Sequence, residues 1–145
     1  MLMMSRQRYM HFDPDLPSPV VLVADPDDEV RASLRDNLAS IGVQVRGYRR
    51  GADLLRGLEV QAACVITELK LEDMTGIELL GRLQERGLNL PVILLASDGD
   101  VETAVEAMQA GALDFIEKCN YERLLLWHVG RLTDRGSLGS VALQA

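Results

Sequence analysis

Ten of the twenty-two acidic side chains fall in three short segments, each of which directly follows a run of apolar residues. The segments contain Asp25, Asp27, Asp28 and Glu29; Glu68, Glu72 and Asp73; and Asp98, Asp100 and Glu102. Hard cations such as Mg²⁺ prefer carboxylate and carbonyl oxygens, so this group of side chains could hold one. Acids also stabilise helix N-termini through the helix macrodipole, and for most of the ten we prefer that interpretation.

A lysine follows the fifth apolar run of the chain. Lys118 is one of only two lysines in the sequence, and at an acidic edge it is a candidate ion-pair partner for Glu68 or Asp25. The two cysteines, Cys64 and Cys119, provide neither a disulfide framework nor a zinc cluster. No glycine-rich phosphate-binding motif is present.

Strands and helices that would position these side chains alternate along the sequence. Short apolar or alternating runs predict strands at residues 20–24, 43–48, 62–67, 91–96 and 113–117. The first of them, VVLVA, is typical of a strand buried on both faces. Asp25 as N-cap and Pro26 at the first helical position predict a helix start directly after it.

The predicted helices are recognised by apolar residues at helical spacing. The first has the stripe Val30, Leu34, Leu38 and Ile41 and ends at Gly42, and a short second helix covers residues 51–58. The third begins with a capping box of Thr75 and Glu78 and continues to about Arg86. The fourth has the stripe Val101, Ala104, Val105 and Met108 and ends near Gly111, and the fifth has the stripe Tyr121, Leu125, Val129 and Leu132. Five strands alternating with five helices predict a (βα)5 fold, a doubly wound five-stranded parallel sheet. Sites in such folds lie beyond the carboxyl ends of the strands, here after residues 24, 67, 96 and 117.

The ends of the chain differ from this folded body. Residues 13–19 include three prolines, so we interpret residues 1–19 as a flexible extension, 20–134 as the domain and 135–145 as a tail. A net charge of −7 argues against nucleic-acid binding and against an anionic membrane surface. No apolar run approaches a membrane span, no secretion signal is recognised, and the cysteine content fits a cytoplasmic setting.

Three segments resemble the response-regulator receiver domain of two-component signalling. VLVADPDDEVRASL (21–34) resembles its first strand and helix, ITELKLEDMTGIELL (66–80) its phosphoacceptor loop, and DVETAVEAMQAGALDFIEK (100–118) its fourth helix and fifth strand. The similarity covers about residues 20–132 and implies the flavodoxin-like topology of that family.

The resemblance also implies a chemistry and the positions that perform it. In the family, a histidine kinase donates a phosphoryl group to an aspartate after the third strand, with Mg²⁺, two acids, a Thr or Ser and a Lys. In this sequence Asp25 and Pro26 match the acid pair, and Glu68 matches the phosphoacceptor aspartate. Ala96 matches the Thr or Ser, and Lys118 matches the Lys. Cys119 replaces the proline that usually follows the lysine. We therefore assign no metal site, although Asp25, Glu68 and the Lys70 carbonyl remain as ligands for Mg²⁺.

These alterations predict a degenerate receiver, or pseudo-receiver, that is not an enzyme and regulates through protein contacts or dimerisation without a phosphorylation cycle. Glu68 paired with Lys118 would then place a fixed negative charge near the phosphoryl position. One alternative is a receiver that accepts phosphoryl on Glu68 with Mg²⁺. Another is a small-ligand sensor whose pocket lies at Pro26, Ala96 and Cys119.

The resemblance places an aromatic switch position at Phe115 and a partner surface on the fourth helix, fifth strand and fifth helix. Helical geometry turns Trp127 outward, and with Arg123 and Arg131 it is our candidate interface anchor. Packing of Trp127 against the chain's tail is the alternative. A homodimer, a histidine kinase or a separate output domain are the expected partners, and whether the chain is a stand-alone receiver or a fragment stays open.

Overall fold

The computed structural model describes residues 17–58 and 61–133. The strands are β1 (Val20–Ala24), β2 (Gln44–Tyr48), β3 (Cys64–Glu68), β4 (Val92–Ala96) and β5 (Asp114–Glu117). The helices are α1 (Asp28–Ala39), α2 (Gly51–Arg56), α3 (Gly76–Glu85), α4 (Val101–Gln109) and α5 (Tyr121–Leu132), with a short 3-10 turn at Lys118–Asn120. The predicted tail and residues 1–16 of the predicted extension lie outside the described residues.

All strand pairs are parallel, and the strand order is β2-β1-β3-β4-β5. This order is the flavodoxin-like form of the doubly wound sheet, and it confirms the predicted fold class. The chain reverses its winding direction between β1 and β3. The carboxyl ends of those two strands therefore form the edge at which Asp25 and Glu68 stand.

Two apolar layers cover the sheet, one on each face. Leu22 and Leu94 point into the layer formed with α2, α3 and α4, whereas Val23 and Ile93 point into the layer formed with α1 and α5. Residues of β3 and β4 are buried throughout, as continuous apolar runs predict. Among the described residues, no helix is both long and apolar enough to cross a membrane.

The start of α1 differs from the prediction. The N-cap is Asp27, whose carboxylate accepts a hydrogen bond of 2.8 Å from the Glu29 amide, and the helix begins at Asp28. Asp25 stays extended because its own amide donates to the Tyr48 carbonyl at 2.9 Å, which continues the pairing of β1 with β2. The assignments of Asp25 as N-cap and Pro26 as first helical residue were therefore wrong.

The apolar stripe that predicts α4 lies mostly on its outer side. Val101 is 79% exposed, Val105 48% and Met108 47%, whereas the residue that α4 buries completely is Ala107. By contrast, the Thr75–Glu78 capping box is present at the start of α3, as predicted. The periodicity of α4 thus predicts the helix correctly, but it marks a surface instead of a core face.

Candidate functional site

The sheet edge brings together three charged side chains from three different strands. Lys118 Nζ lies 2.8 Å from Asp25 Oδ2 and 3.5 Å from Glu68 Oε1. Asp25 follows β1, Glu68 ends β3 and Lys118 follows β5, so the parallel topology alone places them at one edge. The predicted partnership of Lys118 with Glu68 or Asp25 is present with both carboxylates.

Burial makes this cluster electrostatically strong. Asp25 is 1% exposed and Glu68 7%, while the Lys118 side chain retains 17% exposure. Burial by itself would lower the pKa of Lys118, but the hydrogen bond and charge of Asp25, with the charge of Glu68, raise it overall. Burial raises the pKa of Glu68 in spite of the opposing charge of Lys118. We therefore regard Asp25 as the principal partner of Lys118 and Glu68 as the secondary one.

The Glu68 carboxylate is also held by the backbone. Its Oε2 accepts a hydrogen bond of 2.8 Å from the Leu69 amide, so both oxygens already have partners. The hydroxyl of Thr67 is close by, but it donates to the Glu68 carbonyl at 3.0 Å. Glu68 is thus fixed by local contacts in the direction of Lys118.

The remaining acids after β1 face away from this cluster. Pro26 has no ligand atom, and Asp27 uses its carboxylate as the helix cap. Asp28 is exposed and forms ion pairs with Arg31 and Arg49. Asp25 is consequently the only one of these acids that points to Lys118 within the described part of the chain.

Several other acids of the edge have structural roles, as the helix-terminus interpretation predicted. Asp73 accepts hydrogen bonds from the amides of Gly51 and Ala52 at 3.0 and 2.9 Å and so caps α2. Asp100 caps α4 by accepting a hydrogen bond of 2.7 Å from the Thr103 amide. These two carboxylates accept hydrogen bonds from backbone amides at helix N-termini.

A second ion-pair group was missed by the sequence analysis. Glu72 lies 3.2 Å from Arg49 and 3.4 Å from Arg50, and the hydrogen bond from Arg49 lowers the pKa of Glu72. The two arginines follow β2, whose carboxyl end lies at the same sheet edge. Inspection of the loop after β2, in addition to the other four, would have identified them as partners for the acids.

The donor atoms as arranged do not form a magnesium site. Mg²⁺ requires near-octahedral oxygen ligands, usually from one or two carboxylates and water. Here the ammonium of Lys118 lies against Asp25, Glu68 Oε2 is bonded to an amide, and Pro26 provides no second carboxylate. Among the described residues, no group of three or more His, Cys, Asp or Glu side chains could hold a metal ion.

The position that the resemblance assigns to a Thr or Ser is apolar. Ala96 is 1% exposed, and the neighbouring Ser97 is on the surface. The hollow between Ala96 and Glu68 has a volume of about 40 Å³, compared with roughly 300–1,000 Å³ for typical small-molecule sites. A larger open groove of about 330 Å³ is lined by Lys118, Cys119, Tyr121, Glu122 and Arg123.

Of the proposed interface residues on α5, Trp127 is less exposed than helical geometry predicted, whereas Arg123 and Arg131 are exposed. Trp127 is only partly exposed, because the Arg131 guanidinium lies 5.0 Å from its ring centroid and the His128 ring packs against it edge-on at 4.9 Å. His128 Nε2 lies 2.8 Å from Asp114 Oδ2. Arg123 is exposed on the same helix. The larger exposed apolar surface is on α4.

Comparison with known proteins agrees with the fold. The family described as "Response regulator receiver domain" matches residues 21–129. Transcriptional regulatory protein FixJ of Azorhizobium caulinodans is 41% identical over 99 residues, which are 68% of this chain and 47% of that protein. The C4-dicarboxylate transport transcriptional regulatory protein DctR of Rhodobacter capsulatus is 41% identical over 101 residues, 68% of this chain and 51% of that protein.

Solved structures give the same result. A response regulator receiver protein from Pseudoalteromonas atlantica superposes with a TM-score of 0.74 at 36% identity, over 80% of this chain and 98% of that one. FixJ-N superposes with a TM-score of 0.69 at 31% identity, over 82% of this chain and 96% of that one. The chain spans about half the length of the curated relatives it matches. Sequence and structure together show that the chain belongs to the family of response regulator receiver domains of two-component systems.

Proposed function

We propose that this receiver domain transmits signals through protein contacts and does not use a phosphorylation cycle. Receiver domains are typically non-enzymatic signalling domains that interact with kinases and partner proteins. The observation that carries the proposal is the Lys118 ammonium held between Asp25 and Glu68 in a pocket with Pro26 and Ala96 as its other members. We place this activity in the cytoplasm, where two-component regulators act.

Each difference from the family's residue types at this site removes one requirement of phosphoryl transfer. Pro26 leaves the cation one carboxylate short, and Ala96 offers no hydroxyl to the phosphoryl oxygens. Glu68 carries its carboxylate one methylene further than an aspartate, about 1.5 Å, and in-line transfer tolerates little misplacement. The ionised Glu68 near Lys118 acts in this proposal as a fixed substitute for the charge that phosphorylation would add.

The binding surface in this proposal is the outer side of α4. Val101, Val105 and Met108 form an exposed apolar stripe there, and Leu113 before β5 is 39% exposed. Contiguous exposed apolar surface is typical of interaction sites. The stripe is flanked by Glu102 and Glu106, whereas α5 carries Arg123 and Arg131, so a second copy of the chain would offer complementary charge.

The pocket is tested by amide NMR spectra with Mg²⁺ alone and then with Mg²⁺ and beryllium fluoride, a phosphoryl mimic. We expect the amide resonances of Leu69 and Lys118 to keep their positions after both additions. The matched control combines Pro26→Asp, Glu68→Asp and Ala96→Thr, which restore the family's residue types and should restore a response. A response of the unsubstituted chain at these amides would instead favour the alternative of a phosphoryl-accepting receiver that uses Glu68 with Mg²⁺.

The surface is tested by analytical ultracentrifugation. Val105→Glu should weaken self-association, because it places a charge in the middle of the apolar stripe. Trp127→Ala is the comparison, and an effect of this change alone would move the interface from α4 to α5. If neither changes association, the homodimer proposal is wrong and a different protein is the partner.

The ligand-sensing alternative has one observation in its favour, the groove of about 330 Å³ beside Lys118 and Cys119. The hollow at Ala96 is too small for a metabolite. A thermal shift produced by small metabolites and abolished by Arg123→Glu at the groove would support that alternative.

A further inference from the structure

The apolar stripe of α4 borders a groove that stays open among the described residues. The groove has a volume of about 450 Å³ and is lined by Val101, Ala104, Val105, Met108 and Gln109. Three of these side chains, those of Val101, Val105 and Met108, are exposed apolar groups. Contiguous apolar surface of this kind is typical of a binding site, so an occupant is expected.

The first twelve residues of the sequence have a composition that suits this groove. Residues 1–12, which we call the N-terminal segment, contain four of the six methionines of the chain, together with Leu2, Tyr9 and Phe12. Methionine is unbranched and adapts to irregular apolar surfaces. Segments that remain solvated are poor in apolar and aromatic residues, so this composition indicates contact with a folded surface.

The charge of the N-terminal segment is opposite to that of the whole chain. The segment contains Arg6 and Arg8 and no acidic residue, although the net charge of the chain is −7. Glu102 and Glu106 are exposed on α4 and flank the apolar stripe. The segment and the stripe therefore combine apolar contact with complementary charge.

The chain enters the domain at the edge of the sheet where α4 ends. The Pro19 carbonyl, directly before β1, accepts a hydrogen bond of 2.9 Å from the Gln44 amide at the amino end of β2. The Leu113 amide, directly before β5, donates to the Val92 carbonyl at the amino end of β4, at 2.8 Å. Because α4 runs back towards these amino ends, Met108 in its last turn lies at the same edge.

The gap between the two places is short compared with the length of chain that precedes β1. Two strands separate β1 from β5, so their amino ends lie about 14 Å apart at the usual strand spacing. Residues 1–16 reach up to about 54 Å when fully extended, and residues 13–16 alone reach about 13 Å. The stripe itself is about 11 Å long at the rise of an α-helix. The N-terminal segment can therefore lie along the stripe of its own chain.

We propose that the N-terminal segment binds the apolar stripe of α4 within the same chain and competes there with a second copy. This inference rests on the proposed function, in which the stripe is the surface for self-association, and it adds a regulatory element to that surface. A short tether gives the segment an effective concentration in the millimolar range, above that of a second copy in dilute solution. Release of the segment then limits self-association.

Paramagnetic relaxation measured by NMR locates the segment. Ser5→Cys combined with Cys119→Ser provides one accessible thiol for a nitroxide label, because Cys64 is buried. An unbound segment would broaden the amide resonance of Ala39 at least as much as that of Met108, because Ala39 ends α1, which adjoins β1. We expect the reverse, with most of the intensity lost at Met108. A loss at Ala39 that equals or exceeds the loss at Met108 would overturn the proposal.

A mixed sample shows whether the segment binds its own chain. It contains an isotope-labelled chain without nitroxide and an unlabelled chain with nitroxide. Binding within the same chain predicts that the Met108 amide of the isotope-labelled chain keeps its intensity in this mixture. A loss of intensity as large as that within one doubly labelled chain would place the segment on a second copy and overturn the proposal.

Charge reversal in the segment should change self-association in the direction opposite to damage of the stripe. Arg6→Glu with Arg8→Glu should reduce the broadening at Met108 and increase self-association in analytical ultracentrifugation, because the stripe becomes accessible to a second copy. Arg6→Lys with Arg8→Lys is the matched control and should leave both measurements unchanged. Broadening and association that are the same in the reversed variant as in the control would contradict the proposal.

Val105→Glu separates failure of this inference from failure of the proposed function. Ala32→Glu is the control, because it adds the same charge at an exposed position of α1, on the other face of the sheet. Released broadening with unchanged self-association in Val105→Glu would overturn the homodimer and support binding of the segment. Weakened self-association in a chain whose segment never broadens Met108 would support the proposed surface and overturn the inference.

Discussion

Lys118 and Asp25 form an ion pair, at 2.8 Å, that connects the end of β5 to the end of β1 across two intervening strands. Glu68 stands on one of those strands and is the second carboxylate within reach of the ammonium. The pair is almost fully buried on the side of Asp25. Lys70 is the only other lysine of the chain, so a substitution at Lys70 can serve as the control for a substitution at Lys118.

Replacing Lys118 by methionine should destabilise the domain by about 3 kcal/mol, since it leaves the Asp25 carboxylate buried without a cation. Lys70→Met is the matched control, because Lys70 is exposed and we expect a change within about 0.5 kcal/mol for a surface substitution. Urea unfolding at neutral pH measures both. Equal unfolding midpoints for the two variants would contradict a stabilising role of the pair.

The stability contributed by Lys118 should be lost in alkaline solution. The pKa of Lys118 is raised in the folded state, so its contribution is complete below the ordinary value of 10.5 and declines as the pH rises through the folded-state pKa. The urea midpoint of the native chain should therefore approach that of Lys118→Met above pH 10.5. A difference that stays constant through this range would show that the lysine is not the titrating group.

Glu68→Gln should be as stable as the native chain at neutral pH, or more stable. Burial raises the pKa of Glu68, so the contribution of this carboxyl group is complete below the ordinary value of 4.5 and is lost as the pH rises through the folded-state pKa. The advantage of the amide should accordingly grow from acid to neutral pH. A glutamine variant that loses stability at neutral pH would mean that the charge contact with Lys118 outweighs desolvation.

Two glycines of α3 should respond in opposite directions to alanine. At Gly76 a Cβ would lie 2.5 Å from Leu94 Cδ2 and 2.8 Å from the Glu68 carbonyl oxygen, so Gly76→Ala should cost about 1–3 kcal/mol through overpacking. Gly81 faces open space, and Gly81→Ala should stabilise the domain by about 0.5–1 kcal/mol through helix propensity. Thermal unfolding of both variants checks the pair, and a stabilised Gly76→Ala would contradict the close packing.

The order of the elements and the members of the charged edge could be predicted from the sequence, because buried parallel strands are continuous apolar runs and their ends share an edge. The start of α1 could not, since three aspartates after β1 (Asp25, Asp27 and Asp28) offer a cap, and only the contacts of Asp25 with Tyr48 and Lys118 decide among them. The sequence also did not predict that the apolar stripe of α4 faces away from the sheet. Periodicity shows that a helix has an apolar side, but it does not show whether that side packs against the sheet.

The structural reason for a glycine could be predicted at some positions and not at others. The sequence predicts that Gly111 ends a helix, and among Gly76, Gly99 and Gly111 it alone has a positive φ, of 105°. Gly76 and Gly99 are required by the close approach of Leu94 and Phe115 from other elements. Such tertiary contacts leave no local pattern in the sequence.

The two cysteines differ sharply in their surroundings. Cys64 is buried within β3, and burial raises the pKa of its thiol to about 12, so it carries almost no thiolate at neutral pH. Cys119 is exposed directly beside Lys118. A maleimide fluorophore should therefore attach to the folded native chain at Cys119, with Cys119→Ser as the unlabelled reference. The protein thus carries its own attachment point for an optical reporter a single residue from the buried ion pair.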